Sequence, residues 1–507
     1  MEMEVAIVYS RALTGIISPQ VIIEVHLSRG LPGLSIVGLP ETAVKESKDR
    51  VRSAILNNHF DFPLRRITIN LAPADLPKQS GRYDLPIAIG ILAASGQIPT
   101  NHLQQLEFIG ELALTGELRS VHGSLPMTSS TKHAGRALIL PYLNAAEASL
   151  ITDLDIYSAH TLNDVCNHLS GLSPLPLTQS EHQPAYMQYP DMSDIYAQHQ
   201  AKRALEIAAA GNHNLLMIGP PGSGKTMLAE RLPSILPPIN EKQALETAAI
   251  NSISHLGFNI EKWKQRPFRS PHHTSSAVAL VGGGSHPRPG EISLAHNGVL
   301  FLDELPEYDR KVLEVLREPL ESGKIIISRA AQQAEFPTRC LLIAAMNPCP
   351  CGYLGDLLGH CRCTSEQIRR YRAKISGPLL DRIDMHIEVP NMTKEILNIR
   401  KSKTSETSAI VRERVYQAHL IQMERAKKPN SNLTNRELET FCPLDNKQKR
   451  LLSDVVNQFN LSTRALHRIL KVARTISDLE QHATIEMAHL QEAINYRKLE
   501  RIDSIPG

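Results

Sequence analysis

The sequence predicts an α/β protein in parts: a mixed α+β domain over residues 1–165, a linker over 166–193, a P-loop α/β core over 194–392, and a helical domain over 393–507. Three observations carry this reading. A glycine loop ending in Lys225 and Thr226 stands between a strand-like apolar run and a segment with helical spacing. Further apolar runs at 299–302 and 341–346 end in Asp303 and Asn347, as buried parallel strands do when they deliver polar groups at their carboxyl ends. Beyond residue 430 the apolar positions fall at helical spacing: Leu451, Leu452, Val455, Val456 and Phe459, then Leu466, Ile469, Leu470 and Ala473.

A chain of 507 residues exceeds one hydrophobic core. Its composition, 42% hydrophobic and 21% charged, is that of a globular protein. The net charge of +3 neither supports nor excludes nucleic acid, since a binding surface needs local clustering. No apolar run approaches the ~20 residues of a membrane span. The opening residues, Met-Glu-Met-Glu-Val, lack the basic start of a signal peptide, so the expected location is cytoplasmic, with no membrane partner. The seven cysteines are then expected to be reduced or metal-bound, and the isolated Cys166, Cys340 and Cys442 read as filler.

In the first part, β-rich runs at 21–27 and 66–71 alternate with helical stretches at 41–57 and 85–95, and Gly30, Pro32, Gly33, Gly38 and Pro40 punctuate the joins. Residues 168–193 are rich in Ser, Pro, Gln and His without apolar pattern, which marks the linker. A charged helical segment covers 394–428.

The loop Gly219, Pro220, Pro221, Gly222, Ser223, Gly224, Lys225, Thr226 matches the P-loop pattern. The apolar run 215–218 precedes it, and Leu228, Leu232 and Ile235 follow at helical spacing. Small residues let backbone N–H groups reach phosphates, and the helix N-terminus faces the anion. Lys225 is placed to meet the β- and γ-phosphates of ATP and Thr226 to ligate Mg²⁺. Asp303 is the expected second holder of the Mg²⁺ shell, and Glu304 the group that polarises the attacking water. Asn347 ends the next apolar strand and is read as the amide that orients that water.

Cys349, Cys351, Cys361 and Cys363 form two tight pairs with nine residues between Cys351 and Cys361. Four such thiols can close a tetrahedral Zn²⁺ site, and His360 could replace one of them. With no open position, that site would staple the loop after Asn347 rather than catalyse. Segment 324–339 reads as a hairpin, a β-branched run followed by a polar turn.

These residues resemble a family. The run Pro289-Gly-Glu-Ile-Ser-Leu-Ala-His-Asn-Gly298, segment 316–339 and Leu379-Leu-Asp-Arg-Ile-Asp384 are similar to the AAA+ clade of the magnesium-chelatase ATPase subunit and the minichromosome-maintenance helicases. Asn347-Pro-Cys-Pro-Cys-Gly-Tyr353 and Pro40-Glu-Thr-Ala-Val-Lys-Glu-Ser47 are more specific, and the whole chain resembles the bacterial YifB/ComM family of chelatase-like ATPases. The resemblance implies that Arg382 is an arginine finger reaching the neighbouring subunit's γ-phosphate in a homo-hexameric ring, and that Arg464 is the sensor arginine of a helical lid. It implies a pore hairpin with Lys324 and Arg329 on DNA phosphates, and a second pore element around 279–290. The N-terminal domain resembles the Lon-protease fold, with Arg82 where the nucleophile belongs, Ser80 close by, and Leu125 near the lysine position, so it reads as non-proteolytic. The implied function is an ATP-driven helicase or branch-migration motor on single-stranded and branched DNA, serving homologous recombination in natural transformation alongside recombination proteins. The alternative is a chelatase-like chaperone that remodels a protein partner.

Overall fold

The computed structural model describes residues 5–76, 78, 80–179, 189–255, 257–284, 287–329, 332–355, 360–391, 406–459 and 461–497. The N-terminal part is built on strands β1 (Val5–Arg11), β2 (Gln20–Ser28), β3 (Gly33–Val37), β4 (Arg66–Ala72) and β5 (Leu106–Phe108), a small ribbon of β6 (Glu111–Leu112) and β7 (Leu118–Arg119), then β8 (Ala137–Pro141) and β9 (Ile156–Ala159). They form a seven-stranded mixed sheet in the order β3-β4-β2-β1-β5-β8-β9, with the ribbon separate. In β2 every second residue, Val21, Ile23, Val25 and Leu27, is buried, the period a one-sided sheet requires. Helix Asp84–Ala94 lies against this face, buried from Asp84 to Ala93. Gly90 permits the approach, since a Cβ there would meet Val25 Cγ2 at 2.6 Å. The expected helix over 41–57 is two, Thr42–Lys45 and Ser47–Asn57.

The expected linker is partly tied down: Thr178 N donates to Ile156 O at 2.8 Å and Leu177 bridges to Tyr157 at the β9 edge. Residues 180–188 lie outside the described set.

The central part holds β10 (Leu215–Ile218), β11 (Phe268–Arg269), the pair β12 (Gly282–Gly283) and β13 (Arg288–Pro289), β14 (Val299–Leu302), the hairpin β15 (Lys324–Arg329) and β16 (Gln332–Pro337), β17 (Leu341–Met346) and β18 (Met385–Glu388). Five of these form a parallel sheet in the order β11-β14-β17-β10-β18. Both faces are covered, so β10, β14 and β17 are apolar throughout. On one face Leu215, Met217, Phe301 and Ile343 pack with helix His199–Gly211 and with Ile469, Val472 and Ile476 of helix Thr463–Leu479. On the other, Leu216, Leu300, Leu342 and Ala344 pack with Leu305, Leu313, Leu316 and Ile383. The C-terminal helices therefore share the core of the sheet. The helix after the glycine loop runs Lys225–Arg231 and tightens into a 3₁₀ turn at Leu232–Ile235, where Pro233 lacks the N–H that an α-turn needs.

The N-terminal part docks on this core. Leu125, Leu150 and Ile151 cluster with Ile239, Ala244, Ala248 and Trp263, and Gly123 N donates to Ser252 O at 3.0 Å. Among the described residues no helix is long and apolar enough to cross a membrane.

Candidate nucleotide site

Strand β17 lies between β10 and β14, so three polar groups arrive side by side at the carboxyl edge of the parallel sheet. The loop from Gly219 to Gly224 follows β10, Asp303 follows β14 and Asn347 follows β17. Gly222 and Gly224 have φ of 74° and 88°, left-handed conformations that favour glycine. Gly224 stands at the N-cap of helix Lys225–Arg231. The Lys225 ammonium folds back over the loop, donating to Gly219 O at 2.7 Å, Pro220 O at 3.0 Å and Asn347 Oδ1 at 3.4 Å. Burial pulls its pKa down while Asp303 and Glu304 oppose, and the net direction is lowered.

Thr226 Oγ1 donates to Asp303 Oδ2 at 2.9 Å, so the hydroxyl and carboxylate expected to share Mg²⁺ already touch. Glu304 adopts φ of 51°, uncommon for a residue with a Cβ, a conformation that tends to persist where the surroundings enforce it and function uses it. Its Oε2 lies 3.0 Å from His273 Nδ1. His273 was not singled out from sequence. Two histidines between Pro271 and Thr274, just past the carboxyl end of β11, were the available signal.

Arg382 and Arg464 are elsewhere. They line one cleft of about 720 Å³ with Arg468, Lys471, Lys428 and Arg339. Asn212 and Asn214, which precede β10, and Cys340, which precedes β17, line it too. The cleft is therefore at the amino ends of the strands, the opposite rim from the glycine loop. A four-residue strand alone spans about 13 Å. Arg382 donates to Arg317 O at 3.0 Å and Pro378 O at 2.7 Å, and pairs with Glu321. Arg464 is the second residue of helix Thr463–Leu479 and is exposed. Arg468, one turn on, was missed by sequence reasoning, though its i+4 spacing from Arg464 is a visible signal. It pairs with buried Asp384, whose carboxyl burial pushes up but Arg468 and His213 hold below the usual range.

The four cysteine thiols converge. Cys349 Sγ is 3.4 Å from Cys351 Sγ and 3.8 Å from Cys361 Sγ, and Cys351 to Cys361 is 3.7 Å. All four ligand atoms lie within 4.8 Å of one another. A tetrahedron with metal–sulfur bonds of about 2.3 Å has edges of about 3.8 Å, so the donor set fits. Gly352, with φ of 84°, rests on the glycine loop: a Cβ there would meet Pro221 Cδ at 2.6 Å.

Hairpin β15–β16 has full antiparallel register from Lys324–Pro337 to Arg329–Gln332. Ile325, Ile327, Ala334 and Phe336 are buried against Ile16, Ile253 and Val281. One face of the hairpin is thus held by the N-terminal part and the core. Lys324 Nζ pairs with Glu335 across the strands at 2.9 Å. The backbone of Arg329 is placed, and its side chain lies outside the described set. In the N-terminal part Arg82 Nε donates to Ser80 Oγ at 2.9 Å, and Leu125 is apolar core.

Comparisons with known proteins find relatives along nearly the whole chain. Family models described as magnesium chelatase, subunit ChlI, match residues 191–397; as subunit ChlI of Mg-chelatase, residues 23–144; and as its C-terminal region, residues 405–497. The chain is 54% identical over 506 residues to the competence protein ComM of Haemophilus influenzae, covering 99% of both chains. It is 49% identical to the uncharacterized protein YifB of Escherichia coli, over 99% of this chain and 98% of that one. A magnesium-chelatase 38 kDa subunit of Cereibacter sphaeroides is 24% identical over 176 residues, 31% of this chain and 52% of that one. With its parallel-sheet core, glycine loop and C-terminal helices, the chain belongs to the ComM/YifB family of magnesium-chelatase-like AAA+ ATPases.

Proposed function

We propose that this protein is a ring-forming, hexameric ATP-driven motor on single-stranded and branched DNA, acting in homologous recombination during natural transformation. The observation that carries the ring is the separation of two half-sites. Lys225, Thr226, Asp303, Glu304 and Asn347 stand at the carboxyl rim of the sheet, and Arg382 and Arg464 at the amino rim. An arginine at the wrong rim of its own subunit can reach a γ-phosphate only on a neighbour, which a head-to-tail ring supplies. A relative at 54% identity is named a competence protein, which fits a DNA substrate.

ATP and Mg²⁺ supply the transferable phosphoryl group and its charge neutralisation. Lys225 exchanges its carbonyl partners Gly219 and Pro220 for phosphate oxygens. Thr226 and Asp303 hold the metal shell, Glu304 leaves His273 to take a proton from water, and Asn347 orients that water. Cys349, Cys351, Cys361 and Cys363 hold a structural Zn²⁺. Lys324 and Arg329, with the second loop around 279–290, grip DNA backbone, and the N-terminal domain is a Lon-protease-like fold without its dyad.

The test is ATP turnover with and without forked DNA, followed by strand separation on the same substrate. Stimulation and unwinding are expected. Turnover indifferent to every DNA form, with no unwinding, would instead favour a chelatase-like chaperone that remodels a protein partner.

A further inference from the structure

A cavity of about 320 Å³ opens between the N-terminal part and the ATPase core. Its N-terminal wall carries Ser80, Arg82 and His122, and its core wall carries His255, Arg288 and Ala334 of β16. Arg82 is 5% exposed. Its hydrogen-bond partners are a hydroxyl, Ser80 Oγ at 2.9 Å, and a thioether, Met127 Sδ at 3.4 Å. Among the described residues no carboxylate pairs with it. Burial accordingly pulls its pKa down.

A buried guanidinium normally has a carboxylate or lies where an anion arrives. Glu111 is the one carboxylate in the lining, and it is otherwise engaged: it lies against Gly81 and faces Arg119 at 3.9 Å. Ser80 is held at φ of 64°, a left-handed conformation unfavourable to serine, with its hydroxyl on Arg82. Arg288 lies directly against the His255 ring. The cavity thus joins one desolvated cation to a second arginine and two imidazoles. Guanidinium groups and hydroxyls are the donors that phosphate oxygens select.

We propose that this cavity is a phosphate-binding site, with Arg82 as its buried anchor and Arg288, His122 and His255 at its rim. The phosphate belongs to the backbone of the DNA strand. That assignment of source rests on the motor reading, because the core wall includes Arg288 of β13 and Ala334 of β16, parts of the second loop and of the hairpin proposed to grip DNA. The position that the Lon-protease resemblance assigns to a nucleophile would then serve as a fixed phosphate contact.

The experiment uses the full chain and two probes, inorganic phosphate and a single-stranded oligonucleotide. Phosphate, but not chloride at equal ionic strength, is expected to raise the wild-type Tm by several degrees. Arg82→Met fills the volume without charge. It is expected to melt no lower than wild type in chloride, to lose the share of the phosphate-dependent rise that survives Lys225→Ala, which silences the glycine loop, and to lower the salt slope of oligonucleotide binding by about 0.7, the loss of one phosphate contact on a single strand. A lower Tm in chloride with the phosphate rise retained would make Arg82 a structural residue and overturn the site. Loss of the phosphate rise with an unchanged salt slope would keep a phosphate site and overturn DNA as its occupant. If wild type binds no oligonucleotide, the motor reading fails, while the phosphate arm still judges the cavity. Should Arg82→Met fail to fold, the rim variants His122→Ala and Arg288→Gln carry the same two readouts, and an unchanged phosphate rise in both overturns the proposal.

Discussion

Lys225 is preassembled by its own loop: the residue is 8% exposed, two backbone carbonyls hold its ammonium, and a third, weaker contact is to Asn347. Lys225→Ala is therefore expected to lose nucleotide binding, read as loss of a fluorescent ATP analogue from the protein. Glu304 is different. It is about half exposed and its partner is His273. Glu304→Gln keeps the shape and removes the base, so ATP should still bind while kcat falls about 10²–10⁴-fold, the usual contribution of a general base. Turnover at the wild-type rate would remove Glu304 from the mechanism. The positions of Asp303 and Asn347 could be read from sequence because each sits immediately after an apolar strand, and those of Lys225 and Thr226 because they end a glycine loop that follows one, where parallel-sheet geometry leaves little choice of position. His273 escaped because β11 is only two residues long and gives no apolar run to announce it.

At the scale of elements, the cysteine loop and the hairpin each carry a prediction. Elemental analysis of purified protein should find one Zn²⁺ per chain, and replacing Cys349 and Cys351 by Ser should release it. Because Gly352 presses on Pro221, loosening this loop reaches the glycine loop: the same double variant should bind ATP more weakly, with Lys225 and Glu304 intact. A folded, metal-free wild type with normal ATP affinity would refute both statements. For the hairpin, Arg329→Ala is expected to weaken DNA binding equally for all sequences and to depress DNA-stimulated turnover and unwinding together, since a phosphate contact carries no base information. Unwinding of forked DNA at matched salt is the measurement, and equality with wild type would remove Arg329. The hairpin itself was legible, since its β-branched run alternates between a buried and an open face. Its docking was not. Ile16 and Gly15 lie more than three hundred residues away in sequence, and nothing local specifies that they cover Ala334 and Phe336. The helical C-terminal region shows the same asymmetry: helices were evident from spacing, but their burial on the sheet with Leu215 and Met217 is a tertiary fact.

The whole molecule sets a cluster of arginines at the rim opposite its glycine loop. Arg382, Arg464 and Arg468 share a cleft at one rim, and the glycine loop stands at the other, so in the proposed ring one subunit would hold half of each of two sites. Arg382 is meanwhile paired with Glu321 and hydrogen-bonded to two carbonyls, contacts that the proposed ring would have it exchange for a neighbour's phosphate. Arg382→Ala should bind ATP as wild type does and hydrolyse it about 10³-fold more slowly, the lower end of what such arginines contribute. Affinity and single-turnover rate separate the two effects. Mixing provides the sharper test. A ring of Arg382→Ala subunits lacks every finger, and a ring of Glu304→Gln subunits lacks every base, so each alone is inactive. In a random one-to-one mixture about a quarter of head-to-tail interfaces pair an intact base with an intact neighbouring arginine, and activity should return at those interfaces. If Arg382 worked within its own subunit, every subunit in the mixture would remain defective and no activity would appear. Recovery that rises and falls with the mixing ratio, peaking near equal proportions, is therefore the signature of a site completed by the neighbour.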